Sequence, residues 1–237
     1  MGRSPLWTAI RDTLRDEIAT GHYRGGDRLP TEARLADRFA VNRHTVRRAL
    51  ADLAEAGVVH ARRGAGVFVA HAQTAYPLGR RVRFHQNLHA AGQAPAKRPL
   101  SLETRNADPR EAEALKLAPD DKVHVYEGLS LADDMPIAVF RSVFPAARFP
   151  RMVEILSHTP SVTAALTAQG VADYTRASTQ ITAKPASATL AMQLQIKAGD
   201  PILRTVSLNA DLAGAPVEYG RTWFAGDRVA LTLGDGD

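Results

Sequence analysis

The chain contains no cysteine. That excludes disulfides and thiolate metal sites and fits a reducing compartment. No apolar run approaches the ~18 residues that a membrane-crossing helix requires. The opening residues, MGRSPLW, carry no apolar stretch of the sort that begins an export signal. The expectation is a soluble, cytoplasmic protein. Catalytic signatures are missing as well: there is no strand-turn nucleophile elbow, no phosphate-cradling GxxxxGK and no HExxH. The eight histidines are scattered. Only His85 and His89 stand one helical turn apart, and no carboxylate lies near them in sequence, so neither a metal nor a cofactor is expected. Lysine is absent from the first 96 residues, so the strong base there is all arginine.

Charge is divided unevenly along the 237 residues. Residues 1–75 hold 12 Arg against 8 acids, whereas the remainder holds 18 Lys+Arg against 17 acids. A basic first third joined to a nearly neutral remainder suggests a nucleic-acid module attached to something else. The length suits two ordinary domains.

The stretch Leu29 to Val69 organises the first domain. Thr31 can cap a short helix carrying Leu35, Ala36 and Phe39, and Asn42 can cap a second running to Ala56. Along the second, Val46, Ala49, Leu50 and Leu53 recur at i, i+3, i+4 and i+7, which makes one buried stripe. The opposite face carries Arg43, His44, Arg47 and Arg48, with Thr45 near the positive helix end. Gly57 can stop the helix. Residues 58–61 and 67–70 then read as paired strands, with Arg62, Arg63, Gly64, Ala65 and Gly66 at the tip. Glycines there allow close backbone approach, and the arginines can reach phosphates or the minor groove. An earlier amphipathic helix, with Trp7, Ile10, Leu14 and Ile18, closes the core. A single arginine on such a face is ordinarily a solvated surface residue. Five basic residues on two adjacent elements, offset between positions 43 and 63 only by Asp52 and Glu55, are harder to dismiss. The pattern is a winged helix-turn-helix suited to the major groove of double-stranded DNA.

The residues GDRLPTEARLADRFAVNRHTVRRAL followed by RRGAGVFV resemble the GntR family of bacterial transcription regulators over about residues 6 to 70. The resemblance implies groove and wing contacts at Arg43, Thr45, Arg47, Arg63 and Gly64. It implies one more contact early in the second helix, where Arg34 is available.

The second half reads as α+β with an antiparallel sheet. Residues 71–82 form a polar junction with one proline, and 83–237 form the second domain. A short helix is expected over Phe84–Ala91, a break between Pro95 and Pro99, and a strand through Leu100, Leu102 and Thr104. Residues 107–141 and 183–221 repeat one order: a proline-headed helix (Pro109, Pro185), a strand, a turn, a second strand and an arginine (Arg141, Arg221). The offset drifts from 76 at the first proline to 80 at the last. Two helix-hairpin units pairing into one sheet would leave a pocket where they meet.

This half resembles the UTRA ligand-sensing domain, which shares the chorismate lyase fold, on YPL…RFHQNL, MPIAVFRSVFP and APVEYGRTWFAGDRV. With VNRHTVRRAL, the whole chain resembles the phosphonate-metabolism branch of the HutC-type subfamily. The resemblance implies a homodimeric repressor that binds a palindromic operator and releases or tightens it when a small anionic effector binds. Candidate effector residues are Arg83, His85, Ser130, Arg141, Ser161, Thr163, Glu218, Tyr219, Arg221 and Phe224. Sugar-phosphate-sensing relatives hold phosphate with arginines at positions near Gly128 and Ser130, carry an acid at Phe140 and a tyrosine at Phe224. These departures argue against a sugar phosphate, and the resemblance to the phosphonate-metabolism branch implies a phosphonate or phosphate ester. A sugar phosphate, an amino acid or a fatty acid on the same scaffold is the alternative, and an enzyme using Glu218 with His85 or His124 is the rival class.

Overall fold

The computed structural model describes residues 5–62, 64–70, 73–79, 88 and 93–233, with no side chain given for Arg62. They form two units that divide between Ala72 and Gln73.

The first unit has α1 (Leu6–Ala19), α2 (Glu32–Phe39), α3 (Arg43–Glu55), β1 (Val59–Arg62) and β2 (Gly66–Val69). Local chemistry sets these limits. The Thr31 hydroxyl accepts from the Arg34 amide, and the Asn42 side chain accepts from the Thr45 amide, so both helices start where the caps predict. Ile10, Leu14, Leu35, Val46, Ala49, Leu50 and Leu53 are buried together with Val59 and Val69, which locks the hairpin to the helices. The Leu29 amide donates to the Val67 carbonyl and Arg28 bridges to Phe68, adding a short third strand to the wing.

The second unit contains β3 (Thr74–Pro77), β4 (Pro95–Asn106), α4 (Pro109–Leu115), β5 (Lys122–Ala132), β6 (Met135–Pro145), α5 (Met152–His158), α6 (Val162–Thr167), β7 (Tyr174–Pro185), α7 (Ala188–Leu194), β8 (Pro201–Asp211), β9 (Pro216–Ala225) and β10 (Val229–Thr232). The order β4-β5-β6-β9-β8-β7 makes one six-stranded sheet in which all neighbours are antiparallel. The internal repeat is therefore structural. Each half is strand, helix, hairpin, and the halves join at β6 and β9 with Arg141 opposite Arg221. A local two-fold axis passes beside that pair.

Three expectations change. Pro109 opens α4 behind the Asp108 cap, but Pro185 closes β7, and α7 starts at Ala188 behind Ser187. The equivalent caps, Asp108 and Ser187, stand 79 residues apart, so the prolines were misaligned landmarks. Both helices end on a left-handed residue, Lys116 and Gln195. In both following turns an aspartate, Asp121 or Asp200, accepts from the amide three residues before it. Second, Pro95 and Pro99 do not break the chain. β4 is an edge strand, where a residue without an amide hydrogen is tolerated, and a bulge follows Pro99. Third, part of the expected junction is a strand: β3 pairs in parallel with β10. The short helix expected over 84–91 lies outside the described residues, apart from Leu88.

Alternation along the strands gives the sheet two different faces. On one, Tyr126, Phe140 and Phe144 pack with Met152, Leu156, Ala165 and Leu166 of α5 and α6. On the other, Val123, Val125 and Val143 pack with Leu115 of α4, while Leu129, Val139 and Ile202 pack with Ala191 and Leu194 of α7.

Candidate DNA interface and effector pocket

In the first unit α3 presents Arg43, His44 and Arg47 to solvent. Thr45 is half-buried, and its hydroxyl donates to Asn42 Oδ1 at 2.9 Å, which fixes the helix start. The guanidinium of Arg47 forks onto Glu32, with Nε at 3.1 Å and Nη2 at 2.7 Å from the two carboxylate oxygens. That contact holds the Glu32 carboxyl below its ordinary pKa. Arg47 keeps 62% side-chain exposure, so the carboxylate aligns the fork without hiding it. Arg48 leaves the expected front: its guanidinium lies over the Trp7 ring, 4.6 Å from the centroid, on the α1 side of the helix. Arg34 is exposed near the start of α2. At the wing, Gly64 and Gly66 take positive φ, 73° and 110°. Arg63 and the side chain of Arg62 lie outside the described residues.

Sequence reasoning missed Arg28. A Cβ added at Gly66 would meet its Nε at 2.8 Å, so this glycine lets the Arg28 guanidinium lie across the wing backbone. The signal was available in the third wing strand, which a two-strand reading omits.

In the second unit a cavity of about 390 Å³ opens on the sheet face that carries α5 and α6. Five of the ten candidate residues line it: Ser130, Ser161, Thr163, Glu218 and Phe224. Ser161 caps α6, Thr163 shares a 2.9 Å hydrogen bond with the Tyr174 hydroxyl, and Phe224 meets Tyr76 of β3 at 5.2 Å between ring centroids. Glu218 is the best-held of these. Its oxygens accept from Ser142 Oγ at 2.5 Å and from Asn209 Nδ2 at 2.7 Å.

Arg141, Tyr219 and Arg221 are not brought into the cavity. They sit at odd positions on β6 and β9, and the odd positions face α4 and α7. Arg141 pairs with Glu127, which also accepts from Ser101, and Arg221 lies 3.7 Å from Asp108 and over the Tyr219 ring. Arg141 is thus paired across the sheet, and Arg221 lies beside the cap of α4. Arg83 and His85 lie outside the described residues.

Two cations lining the cavity were not anticipated. Lys97 Nζ stands 4.6 Å from the centroid of the Phe140 ring, and burial pulls its pKa down. Arg176 donates through Nε to Asn209 Oδ1 at 2.8 Å and through Nη1 to Thr179 at 3.3 Å. Burial pushes the Tyr76 hydroxyl up to about 12, so it stays a neutral donor. The acid–base pairing of Glu218 with His124 is not formed: His124 is buried away from the cavity, with Nδ1 2.8 Å from Thr104 Oγ1. Among the described residues no group of three or more His, Asp or Glu could hold a metal ion. Among them, too, no helix is long and apolar enough to cross a membrane.

Gly128, where arginines would hold a sugar phosphate, has no space for a side chain. A Cβ there would meet the Phe140 ring at 2.7 Å and the Arg98 carbonyl at 2.8 Å. Gly128→Ala should therefore overpack β5 and cost about 1–3 kcal/mol. Thermal denaturation checks this; an unchanged midpoint would show that β4 yields freely.

Comparison with known proteins gives a consistent result. Residues 6–69 match the family described as bacterial regulatory proteins, gntR family, and residues 90–230 match the UTRA domain. The chain is 40% identical to an HTH-type transcriptional regulator of Rhizobium meliloti over 96% of this chain and 94% of that one. It is 33% identical to an Escherichia coli protein named as the transcriptional regulator PhnF, over 90% and 88% of the two chains. The crystal structure of PhnF from Mycobacterium smegmatis superposes with a TM-score of 0.67 at 27% identity, covering 96% of this chain and 99% of that one.

Proposed function

We propose, from the premise that the chain belongs to the GntR family and is a transcription regulator with a UTRA domain, that it is a cytoplasmic, homodimeric repressor of the HutC type, and not an enzyme. Two winged helices read a palindromic operator with half-sites about one helical turn apart. Arg43 and Arg47 read base edges, with His44, Thr45 and Arg34 beside them, and the wing residues Arg62, Arg63, Gly64 and Gly66 lie on the backbone or minor groove. The observation that carries this reading is the exposed Arg43–Arg47 front on a capped helix beside a glycine-tipped hairpin. Selection of duplexes from a random pool, followed by footprinting, tests it; recovery of no palindromic site would overturn it.

Arg28 joins this surface as a phosphate contact beside Gly66. Arg28→Ala should reduce the slope of log affinity against log salt by about one per subunit and leave sequence preference intact. An unchanged slope would remove Arg28 from the interface.

In the second unit, the cavity takes a phosphonate or phosphate ester, and its binding changes operator affinity. Lys97 and Arg176 support an anion, and the filled site at Gly128 argues against the sugar-phosphate geometry of relatives. A tight effector at a hundred times its dissociation constant should stabilise the unit by about 2.7 kcal/mol. Thermal shift against phosphonates, phosphate esters, sugar phosphates, amino acids and fatty acids reads this directly. No shift with any phosphorus compound would sink the ligand class, and turnover of one of them would favour the enzyme reading.

A further inference from the structure

The pocket has a symmetric frame and asymmetric charges. Lys97 and Arg176 are equivalent in the internal repeat, 79 residues apart on the two edge strands. Their strand partners, Ser130 and Asn209, are separated by the same 79. Each half of the cavity therefore contributes one cation from the same place. Glu218 breaks the pattern. The equivalent position on β6, 80 residues earlier as Arg141 is to Arg221, is Ala138.

This asymmetry fixes what each end can accept. In the Arg176 half, Asn209 bridges the guanidinium to Glu218, so one positive and one negative group share a chain of hydrogen bonds. In the Lys97 half, none of the described lining residues is acidic. Among the described residues, Glu218 accepts hydrogen bonds from two neutral donors, one on each oxygen. A carboxylate has about four lone-pair directions, so these two bonds use roughly half of the accepting capacity of a group that lines the cavity. An anionic group placed there would meet like charge, whereas a donor would be held by a charge-assisted bond.

We propose that the effector is a zwitterion: a phosphonate or phosphate-ester group at the Lys97 end and a protonated amine at Glu218, as in an aminoalkyl phosphonate. This rests on the reading that the pocket takes a phosphorus oxyanion. An alkyl phosphonate without the amine gives Glu218 no charge-assisted donor, and a hydroxyl supplies a donor but no charge.

Calorimetric titration of the full chain with 2-aminoethylphosphonate, 2-hydroxyethylphosphonate and ethylphosphonate decides the matter. The amine should bind about tenfold or more tighter than ethylphosphonate, with the hydroxyl between them. Glu218→Gln should bring the three within about threefold, because the amide no longer rewards the ammonium. Lys97→Met should weaken all three alike. Equal binding of the three by the natural chain, or an amine preference that survives in Glu218→Gln, overturns this inference alone. Binding of none of them by the natural chain overturns the phosphorus reading and this inference with it. The ratio in the natural chain decides even where Glu218→Gln does not fold.

Discussion

Arg47→Ala should abolish specific operator binding while the first unit stays folded. Val46, Ala49, Leu50 and Leu53 hold α3 in the core, and Arg47 is an exposed neighbour of that stripe. Among the described residues its guanidinium pairs with Glu32. The substitution removes a two-pronged donor suited to a guanine edge, and it leaves the Glu32 carboxylate facing the same surface. A lost bidentate contact lowers discrimination by roughly ten- to a hundredfold at each half-site. With two half-sites engaged, the affinity should approach that for an unrelated duplex. Arg47→Lys separates fork from charge: it should keep salt-dependent binding to any duplex and still lose discrimination. The pairing is insensitive to pH in the working range. Glu32 has a depressed pKa, so the contact is complete above the ordinary carboxylate range and weakens only as pH falls through the lowered value. Fluorescence anisotropy with operator and scrambled duplexes reads both variants. An operator-to-scrambled ratio retained in Arg47→Ala would remove α3 as the reading helix.

The first unit was legible because its signals are local. Thr31 and Asn42 mark helix starts within three residues of the bonds they make, and the apolar stripe needs only a helical period. What escaped notice there depends on neighbours distant in sequence. Trp7 draws Arg48 toward α1, and Gly66 makes way for Arg28.

The second unit was legible as a repeat but not as a site. Its order of helix and hairpin was visible, and the alternation along β6 and β9 was visible too. Which parity faces the cavity was not, because bulges near Ser130 and Asn209 reset the alternation and the helices choose the face. Arg141 and Arg221, the conspicuous arginines, therefore fell on the wrong side. Lys97, the first lysine in the chain, was passed over on a stretch read as a break. Alignment of the repeat through the helix caps would have matched it with Arg176. The retuning of the pocket also becomes physical. Phe140 fills the space beside Gly128, and Lys97 reaches over that ring from the edge strand, so the cation enters from a different strand.

Arg228→Met should be the most damaging single change in the second unit. Arg228 is only 4% exposed, and its guanidinium donates to three carbonyls: Pro136 at 2.6 Å, Leu194 at 2.7 Å and Gln195 at 3.0 Å. Two of these belong to the end of α7, where backbone acceptors have no helical donor. The third lies at the start of β6. Methionine roughly matches the volume but offers no donor, so three carbonyls, two of them in buried bonds, lose this partner. Hydrogen bonds to a charged donor contribute about 1.5–3 kcal/mol each, so a total loss of about 3–5 kcal/mol is expected after partial relaxation. In a unit of this size that lowers the melting midpoint by roughly 10 °C. The consequence reaches the cavity. The Arg228 carbonyl accepts from the Thr74 amide, and Val229 begins β10, whose pairing with β3 places Tyr76 and Leu78 in the pocket wall. Arg228→Met should therefore weaken effector binding as well as stability, although it touches no ligand. Arg228→Lys, with one compact donor group in place of the fork, should recover part of the midpoint. Differential scanning calorimetry with and without a bound effector measures both effects. A midpoint within 2 °C of the natural chain, far from the roughly 10 °C expected, would show that water replaces the guanidinium at little cost.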